Sequence, residues 1–278
     1  MQRQTHLLTL PEQPYFILPE SVGVYCDYPE HEVMRDAGAL NNFSIHIVVS
    51  GKGYVRTESG QQELTQGQAV LYFPQAAQQY GSSKDDPWEV RWIHFYGGRL
   101  RDFMVERGFH QNLLWKLRQP AGWLEAHQAL LEEAEASSMT RPALLSTLAY
   151  GVLAEFVQQA VPLGSPSASP AEERILSLLP RLEEEAAKPF VLQEWAERAG
   201  VSTHYFCRLF KGALDMTPSE FVTRARLQRA KQRLLERREA NIGEIALEAG
   251  YPSASYFNKR FQEHEGMTPT EYRKLFRG

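Results

Sequence analysis

The pattern of apolar and polar residues changes partway along the chain. Between residues 15 and 98, short runs rich in β-branched and aromatic residues alternate with glycine-containing turns such as SGKG and TQGQ. The clearest runs are 45–49, 54–57, 69–73 and 88–95. Several short strands separated by regular turns predict an antiparallel barrel or sandwich.

Helical spacing replaces this alternation after the strands. Residues 123–136 and 142–160 place apolar side chains three and four positions apart. The segment PLGSPSASPA at 162–171 then interrupts the helical pattern with three prolines and three serines, which predicts a linker. The chain is therefore predicted to be an α+β multidomain protein, with a barrel and its own helices in 1–161 and an all-helical domain in 172–278.

The helical domain contains an internal repeat. LQEWAERAGVSTHYFCRLFKGALDMTPSEF at 192–221 matches IGEIALEAGYPSASYFNKRFQEHEGMTPTEY at 242–272. In each copy a short helix reaches a glycine, which permits a left-handed turn, and Ser202 or Ser253 is placed to cap the next helix. A helix, a glycine turn and a second helix with a polar face predict a helix-turn-helix unit.

The second helix of each unit is expected to bury a pair of phenylalanines four residues apart, Phe206 with Phe210 and Phe257 with Phe261. The opposite face then carries the remaining side chains, all polar except Ala254, and such a face suits the major groove of DNA. These are Thr203, His204, Cys207, Arg208 and Lys211 in the first unit, and Ala254, Ser255, Asn258, Lys259 and Gln262 in the second.

A long helix is predicted between the two units, over residues 219–237. Nineteen residues at about 1.5 Å each span about 28 Å. This length approaches the roughly 34 Å between successive major-groove faces of B-DNA. One chain could then insert both second helices on the same side of a duplex, with some bending.

The charge distribution fits a protein that binds nucleic acid at one end only. Residues 1–170 hold 12 Lys and Arg against 18 Asp and Glu, whereas residues 201–278 hold 14 against 9. A basic domain attached to an acidic one is expected when only the basic part meets phosphate. The two cysteines and the lack of a signal or membrane-spanning segment predict a cytoplasmic protein without disulfides.

The tandem units resemble the AraC family of bacterial transcription regulators. The resemblance covers roughly 175–276 and rests on RARLQRAKQRLL and on the two matching units. It implies sequence-specific binding to double-stranded DNA, no enzymatic activity, no cofactor, and RNA polymerase as a further partner. It places His204, Cys207 and Arg208, and then Ser255, Asn258 and Lys259, at the base-reading positions.

The N-terminal half resembles, more loosely, the sugar-sensing cupin domain of the same family. The resemblance runs through SGKGY, LTQGQAVLYFPQ, QQYG and PWEVRWIHFYGG. It implies a small polar effector, such as a sugar, bound by Arg35, Tyr80 and Trp92, because aromatic faces suit sugar C–H surfaces and Arg donates to hydroxyls or a carboxylate. Tyr80 and Trp92 could instead be core residues, and Arg35 could be a surface residue.

A barrel of this kind also raises the possibility of a metal-dependent enzyme. Gln79 stands before Tyr80 where a metal ligand would be needed, and His46 and His94 lack partners at ligand spacing, so no metal or catalytic site is predicted. Two functions remain: an effector-responsive regulator, and an effector-independent DNA-binding regulator whose barrel only dimerises. The helices at 123–160 could form a homodimer interface, which is favoured, or simply cover the barrel.

Overall fold

The computed structural model describes residues 2–10, 15–57, 60–137, 140–165, 170–237 and 239–276. The chain divides into two units, Met1–Ser167 and Ala168–Gly278. Within the described residues, no helix has both the length and the apolar composition needed to cross a membrane.

The N-terminal unit is built from two antiparallel sheets. Its strands are β1 (Gln2–His6), β2 (Leu18–Tyr25), β3 (Glu32–Arg35), β4 (Phe43–Ser50), β5 (Gly53–Thr57), β6 (Gly60–Leu64), β7 (Gln68–Tyr72), β8 (Gln78–Ser82), β9 (Glu89–Tyr96), β10 (Leu114–Leu117) and β11 (Ala160–Pro162). The larger sheet has the order β1-β2-β9-β4-β7-β10-β11, and the smaller sheet has the order β3-β8-β5-β6. The predicted antiparallel barrel is confirmed, and the predicted strands correspond to β4, β5, β7 and β9.

Alternation along β4 and β9 separates two regions of the N-terminal unit. Ile45 pairs with Ile93, and one residue further along β4, His46 pairs with Trp92. Successive side chains of a strand point to opposite faces. The two isoleucines therefore join an apolar cluster with the helices, whereas His46 and Trp92 face the smaller sheet, where the His46 ring lies 4.7 Å from the Tyr80 ring.

The helices of this unit are α1 (Leu100–Glu106), α2 (Ala121–Ser137) and α3 (Pro142–Gln159). Pro142 occupies the first turn of α3, as predicted. On its inner face α3 buries Leu145, Val152 and Phe156 in the cluster that also holds Ile45 and Ile93. The helix α3 therefore covers the outer face of the larger sheet.

The ends of the predicted linker lie in regular elements. Pro162 is the last residue of β11 and pairs with Trp115, and Pro170 begins the first helix of the second unit. The prediction of a linker was therefore wrong at Pro162 and at 170–171. Residues 166–169 lie outside the described residues.

The C-terminal unit consists of helices. They are α4 (Pro170–Glu184), α5 (Leu192–Arg198), α6 (Thr203–Leu214), α7 (Pro218–Glu236), α8 (Ile242–Glu248), α9 (Ala254–Glu265) and α10 (Pro269–Leu275). The pairs α5–α6 and α8–α9 are the two helix-turn-helix units, and α7 joins them. Ser202 accepts a hydrogen bond from the Tyr205 amide, and Ser253 accepts one from the Tyr256 amide, so both predicted caps are confirmed.

Each helix-turn-helix unit has its own apolar core. Phe206 and Phe210 are buried with Trp195 in the first, and Phe257 and Phe261 are buried in the second. Helix α7 contributes to both cores, with Val222 in the first and Leu227, Ala230 and Leu234 in the second. One rigid helix thus connects the two cores.

The glycine turns of the two units have the same backbone conformation but different surroundings. Gly200 has φ +67° and Gly250 has φ +89°, both in the left-handed region. A Cβ on Gly200 would lie 3.8 Å from the Arg174 side chain, whereas a Cβ on Gly250 would lie 2.4 Å from the Ala187 carbonyl oxygen. The second turn therefore packs against the backbone that follows α4.

We predict that Gly250→Ala destabilises the C-terminal unit more than Gly200→Ala does. Both variants place a Cβ in the left-handed region, at a cost of about 1–2 kcal/mol. Gly250→Ala must also displace backbone, which adds about 1–3 kcal/mol. Urea denaturation of both variants measures the difference, and equal losses of unfolding free energy would contradict the close packing at Gly250.

Candidate nucleic-acid interface and internal cavity

The polar face of α6 lies opposite its buried phenylalanines. Thr203, His204, Arg208 and Lys211 are exposed, and Cys207 is half-buried. The structure therefore brings the five candidate residues of the first unit together on one helix face. The Ser202 cap fixes where this helix begins, and so fixes the position of its first exposed turn.

The guanidinium of Arg208 is held over a neighbouring aromatic ring. Its central carbon lies 4.8 Å from the centre of the Tyr205 ring, one turn earlier on α6. A cation over an aromatic face is stabilised by the ring quadrupole, and the contact leaves the guanidinium donors available. Arg208 thus presents a partly ordered, planar group at the surface of α6.

The polar face of α9 is exposed in the same way. Ser255, Asn258 and Lys259 are exposed, whereas Ala254 is half-buried. The neighbouring Arg260 donates to Glu263 at 2.8 Å, so its charge is compensated on the helix itself. Lys259 has no such pair among the described residues, which leaves its ammonium group available to an external anion.

Other basic side chains of the C-terminal unit are engaged within it. Ion pairs join Arg224 to Glu220, Lys231 to Glu265, and Arg237 to Glu248. Arg226 donates to the backbone carbonyls of Ala186 and Lys188, and burial lowers the pKa of its guanidinium. Arg208, Lys211 and Lys259 form no ion pair within the described part of the chain, so uncompensated positive charge remains on the exposed faces of α6 and α9.

The N-terminal unit contains a cavity of about 140 Å³ between the two sheets. Its lining residues come from strands of both sheets and from the segment before β3. They are Gln4, His6, Ser21, Tyr25, His31, Val33, Arg35, His46, Tyr80, Trp92 and His94. The structure therefore brings Arg35, Tyr80 and Trp92 together around one cavity.

The three candidate effector residues differ in exposure. Tyr80 is 2% exposed and Trp92 is 5% exposed, so both are core residues and cavity-lining residues at once. Arg35 is half-buried and donates to the Gln78 side-chain oxygen at 2.7 Å and to the Tyr80 hydroxyl at 3.3 Å. On its other side Arg35 lines a more open groove together with Asp36 and Arg56.

Both units match known protein families. Residues 18–153 match the AraC-like ligand binding domain, and residues 195–275 match a helix-turn-helix domain. The chain belongs to the AraC family of transcription regulators. It is a DNA-binding transcription regulator and not an enzyme.

Two operon regulatory proteins match most of the chain, and a solved AraC-type regulator matches part of it. The Msm operon regulatory protein of Streptococcus mutans is 20% identical over 84% of each chain. The raffinose operon transcriptional regulatory protein of Pediococcus pentosaceus is 22% identical over 84% of this chain and 85% of its own. A solved AraC-type transcriptional regulator from Chromobacterium violaceum is 30% identical over 40% of this chain and 97% of its own, with a TM-score of 0.35.

Four histidines of the N-terminal unit, His6, His31, His46 and His94, line the cavity, and none of them was predicted there. His46 and His94, which have no partner at ligand spacing in the sequence, lie on the paired strands β4 and β9 with their ring centres 5.6 Å apart. Both histidines alternate with buried apolar residues on their strands, a signal that could have placed them inside the barrel. Even so, no group of three or more His, Cys, Asp or Glu within the described residues could hold a metal ion.

Two kinds of polar atom in this region have no partner. Within the described part of the chain, neither ring nitrogen of His46 has a hydrogen-bond partner, and the indole nitrogen of Trp92 has none. His31, in contrast, accepts a hydrogen bond from the Trp88 indole nitrogen at 3.2 Å. Buried polar groups are normally satisfied, so orphaned groups beside a cavity indicate a missing partner.

Three of the cavity histidines, His31, His46 and His94, are uncharged at neutral pH. Burial lowers the pKa of His94 to about 3 and that of His31 to about 4, and the positive charge of Arg35 lowers both further. Burial also holds the pKa of His46 well below its usual value. Each neutral imidazole therefore offers one donor and one acceptor.

We predict that the N-terminal unit loses stability as the pH falls below about 6.5. An unfolded histidine takes up its proton near pH 6.5, whereas folded His94 does so only near pH 3. Between pH 6.5 and the pKa of the folded state, the unfolded chain binds one more proton at each such histidine. The free energy of unfolding therefore falls by about 1.4 kcal/mol per histidine for each pH unit in this range. The unfolding free energy measured at pH 7, 6 and 5 tests this slope.

The variant His94→Asn isolates the contribution of one histidine, because asparagine cannot take up the proton. It should flatten the slope by about 1.4 kcal/mol per pH unit, whatever its effect on absolute stability. His110→Asn, at an exposed position, is the matched control and should leave the slope unchanged. A slope that His94→Asn does not change would contradict the neutral buried state of His94.

Proposed function

We propose that this AraC-family regulator reads two successive major-groove segments with α6 and α9, and that a small polar effector in the cavity changes this binding. The proposed DNA reading rests on the exposed faces of α6 and α9, which carry cations without an ion pair among the described residues. A buried phenylalanine pair anchors each of these helices to its core. The proposed DNA contacts are Thr203, His204, Cys207, Arg208, Lys211, Ser255, Asn258 and Lys259.

The length of α7 supports simultaneous contact by both helices. Its 19 residues span about 28 Å at about 1.5 Å each, close to one turn of B-DNA. Because α7 packs into both cores, the two helices cannot approach the duplex independently. A modest bend of the DNA would accommodate the remaining difference.

The effector is the feature that distinguishes this proposal from an effector-independent regulator. The cavity lined by Arg35, Tyr80 and Trp92, with orphaned polar atoms of His46 and Trp92, favours an effector. A relative named for a raffinose operon supports a sugar or sugar derivative. A ligand that binds two conformations of the regulator differently would shift their populations by that difference in affinity.

The remaining partners belong to the same proposal. The outer face of α3 exposes Ala143, Thr147, Tyr150 and Ala154, a shallow surface that suits a second copy of the chain. A homodimer would double the DNA contacts and raise affinity without new contact types. RNA polymerase is the proposed partner at the promoter, and the cytoplasm is the proposed location because the DNA target lies there.

We predict that Arg208→Ala and Lys259→Ala weaken DNA binding in different ways. A guanidinium can contact guanine with two hydrogen bonds, so Arg208→Ala should cost about 1–3 kcal/mol and relax the preference at one base position. Lysine acts as a point charge, so Lys259→Ala should weaken binding to all sequences and lower the salt slope by about 1. Titrations on a randomised duplex at several salt concentrations measure both effects.

Arg260→Ala is the matched control for these two variants, because Arg260 lies on α9 but is paired with Glu263. It should change binding much less than either. Unchanged binding by Arg208→Ala, or a loss of sequence preference with Arg260→Ala, would contradict the proposed contact face.

We predict that Trp92→Phe abolishes the effector response and leaves effector-free DNA binding intact. The substitution keeps an aromatic ring but removes the unpartnered indole N–H. Trp123→Phe is the matched control. Trp123 is buried like Trp92, and its indole nitrogen has no partner among the described residues, but Trp123 does not line the cavity.

Thermal shifts with a panel of monosaccharides and their acids first identify compounds that bind. DNA titrations with those compounds then measure the effector response of each variant. Trp123→Phe should respond as the natural chain does. A response that survives in Trp92→Phe would place the effector elsewhere.

A further inference from the structure

We infer that the cavity takes a small carboxylate-bearing hydroxy compound, no larger than a single sugar ring, whose carboxylate pairs with Arg35. This inference rests on the proposed role of the cavity as the effector site. It goes further by naming the charge, the functional groups and the size of the effector.

The guanidinium of Arg35 is a half-buried charge without a counter-ion. Its two hydrogen bonds go to neutral acceptors, the Gln78 amide oxygen and the Tyr80 hydroxyl, and both use the same nitrogen. Among the described residues Arg35 forms no ion pair within 4.0 Å. The neighbouring carboxylate of Asp36 is exposed and does not pair with it. A partly buried charge is costly unless it is paired, so a bound anion would stabilise this arrangement.

The rest of the lining supplies no negative charge. None of the residues around the cavity is Asp or Glu. Burial and the charge of Arg35 keep the pKa of His31 and of His94 below the usual range, so these rings add no positive charge at neutral pH. Arg35 is therefore the one Lys or Arg side chain among the described residues that line the cavity, and its charge matches one carboxylate.

The geometry of the guanidinium favours a carboxylate over a simple halide. One terminal nitrogen of Arg35 is occupied, whereas the other terminal nitrogen and Nε have no hydrogen-bond partner among the described residues. These two nitrogens form a planar fork whose spacing matches the two oxygens of a carboxylate. A bidentate pair of this kind gives both affinity and orientation.

The orphaned polar atoms indicate hydroxyl groups on the same ligand. The Trp92 indole N–H can only donate, so it requires an acceptor such as a hydroxyl oxygen. The fully buried His46 ring needs both a donor and an acceptor, and a hydroxyl can serve as either. The Tyr80 and Trp92 rings add apolar surface for the carbon skeleton.

The volume of the cavity limits the size of the ligand. Pockets for drug-sized ligands hold about 300–1,000 Å³. The cavity, at about 140 Å³, is well below this size. It therefore limits the ligand to at most one sugar ring and excludes an oligosaccharide.

The experiment compares ligands that differ only in charge or in length. The full chain is titrated by calorimetry with D-galacturonate, its methyl ester, D-galactose and trigalacturonate, and D-glucuronate and D-gluconate extend the set of acids. We expect at least one monomeric acid to bind, and its neutral counterpart to bind at least about 10-fold more weakly, as the loss of charged hydrogen bonds requires.

Variants of Arg35 test the pairing directly. Arg35→Gln should weaken binding of the acid by about 10- to 150-fold, and Arg35→Lys should restore part of it, since lysine keeps the charge but not the fork. Arg56→Gln is the matched control, because Arg56 lines the outer groove but not the cavity. The Arg56→Gln variant should bind the acid with unchanged affinity.

Three results would overturn the inference. They are equal binding of D-galactose and D-galacturonate, full affinity for the acid in Arg35→Gln, and no binding of any monomeric acid at millimolar concentration.

DNA titrations distinguish a failure of the proposed ligand chemistry from a failure of the proposed effector role. A neutral sugar that binds and changes DNA affinity would leave the effector role intact, whereas an acid that binds through Arg35 without changing DNA affinity would refute the effector role alone.

Discussion

The burial of one phenylalanine pair on each of α6 and α9 determines the direction of the polar side chains on those helices. Each pair, Phe206 with Phe210 on α6 and Phe257 with Phe261 on α9, is buried on one face of its helix. The opposite face of each helix is therefore exposed to solvent. Helix α7 supplies apolar residues to both cores, so the two exposed faces are fixed relative to one another. Mutations in these cores should therefore affect DNA recognition even though none of these residues can touch DNA.

The N-terminal unit uses the same principle with the periodicity of a strand. Ile45 and Ile93 anchor β4 and β9 to the helical layer, which obliges His46 and Trp92 to face the smaller sheet. Polar atoms that are buried in this way cost stability unless they are hydrogen-bonded. We propose that a ligand bound in the cavity removes that cost by forming hydrogen bonds with these atoms.

The sequence predicts the C-terminal unit better than the N-terminal unit. The repeat, the serine caps and the buried phenylalanines depend on residues close together in the chain, and local patterns report such features directly. The strands β6 and β8 are rich in glutamine and glycine, so hydrophobic alternation could not reveal them. The neighbours of Arg35 in the cavity come from β8 and β9, and only strand pairing, which no single segment encodes, brings them together.

We propose that one chain places two recognition helices, at a separation set by α7, into successive turns of the major groove. Inserting five base pairs between the two halves of the selected binding site rotates one half to the opposite side of the duplex, because B-DNA has about 10.5 base pairs per turn. If both helices bind together, the affinity of the full chain for the altered site should fall by about 100-fold or more, as expected when two linked contacts become one. An affinity that does not change on insertion would show that only one of the two helices reads the DNA.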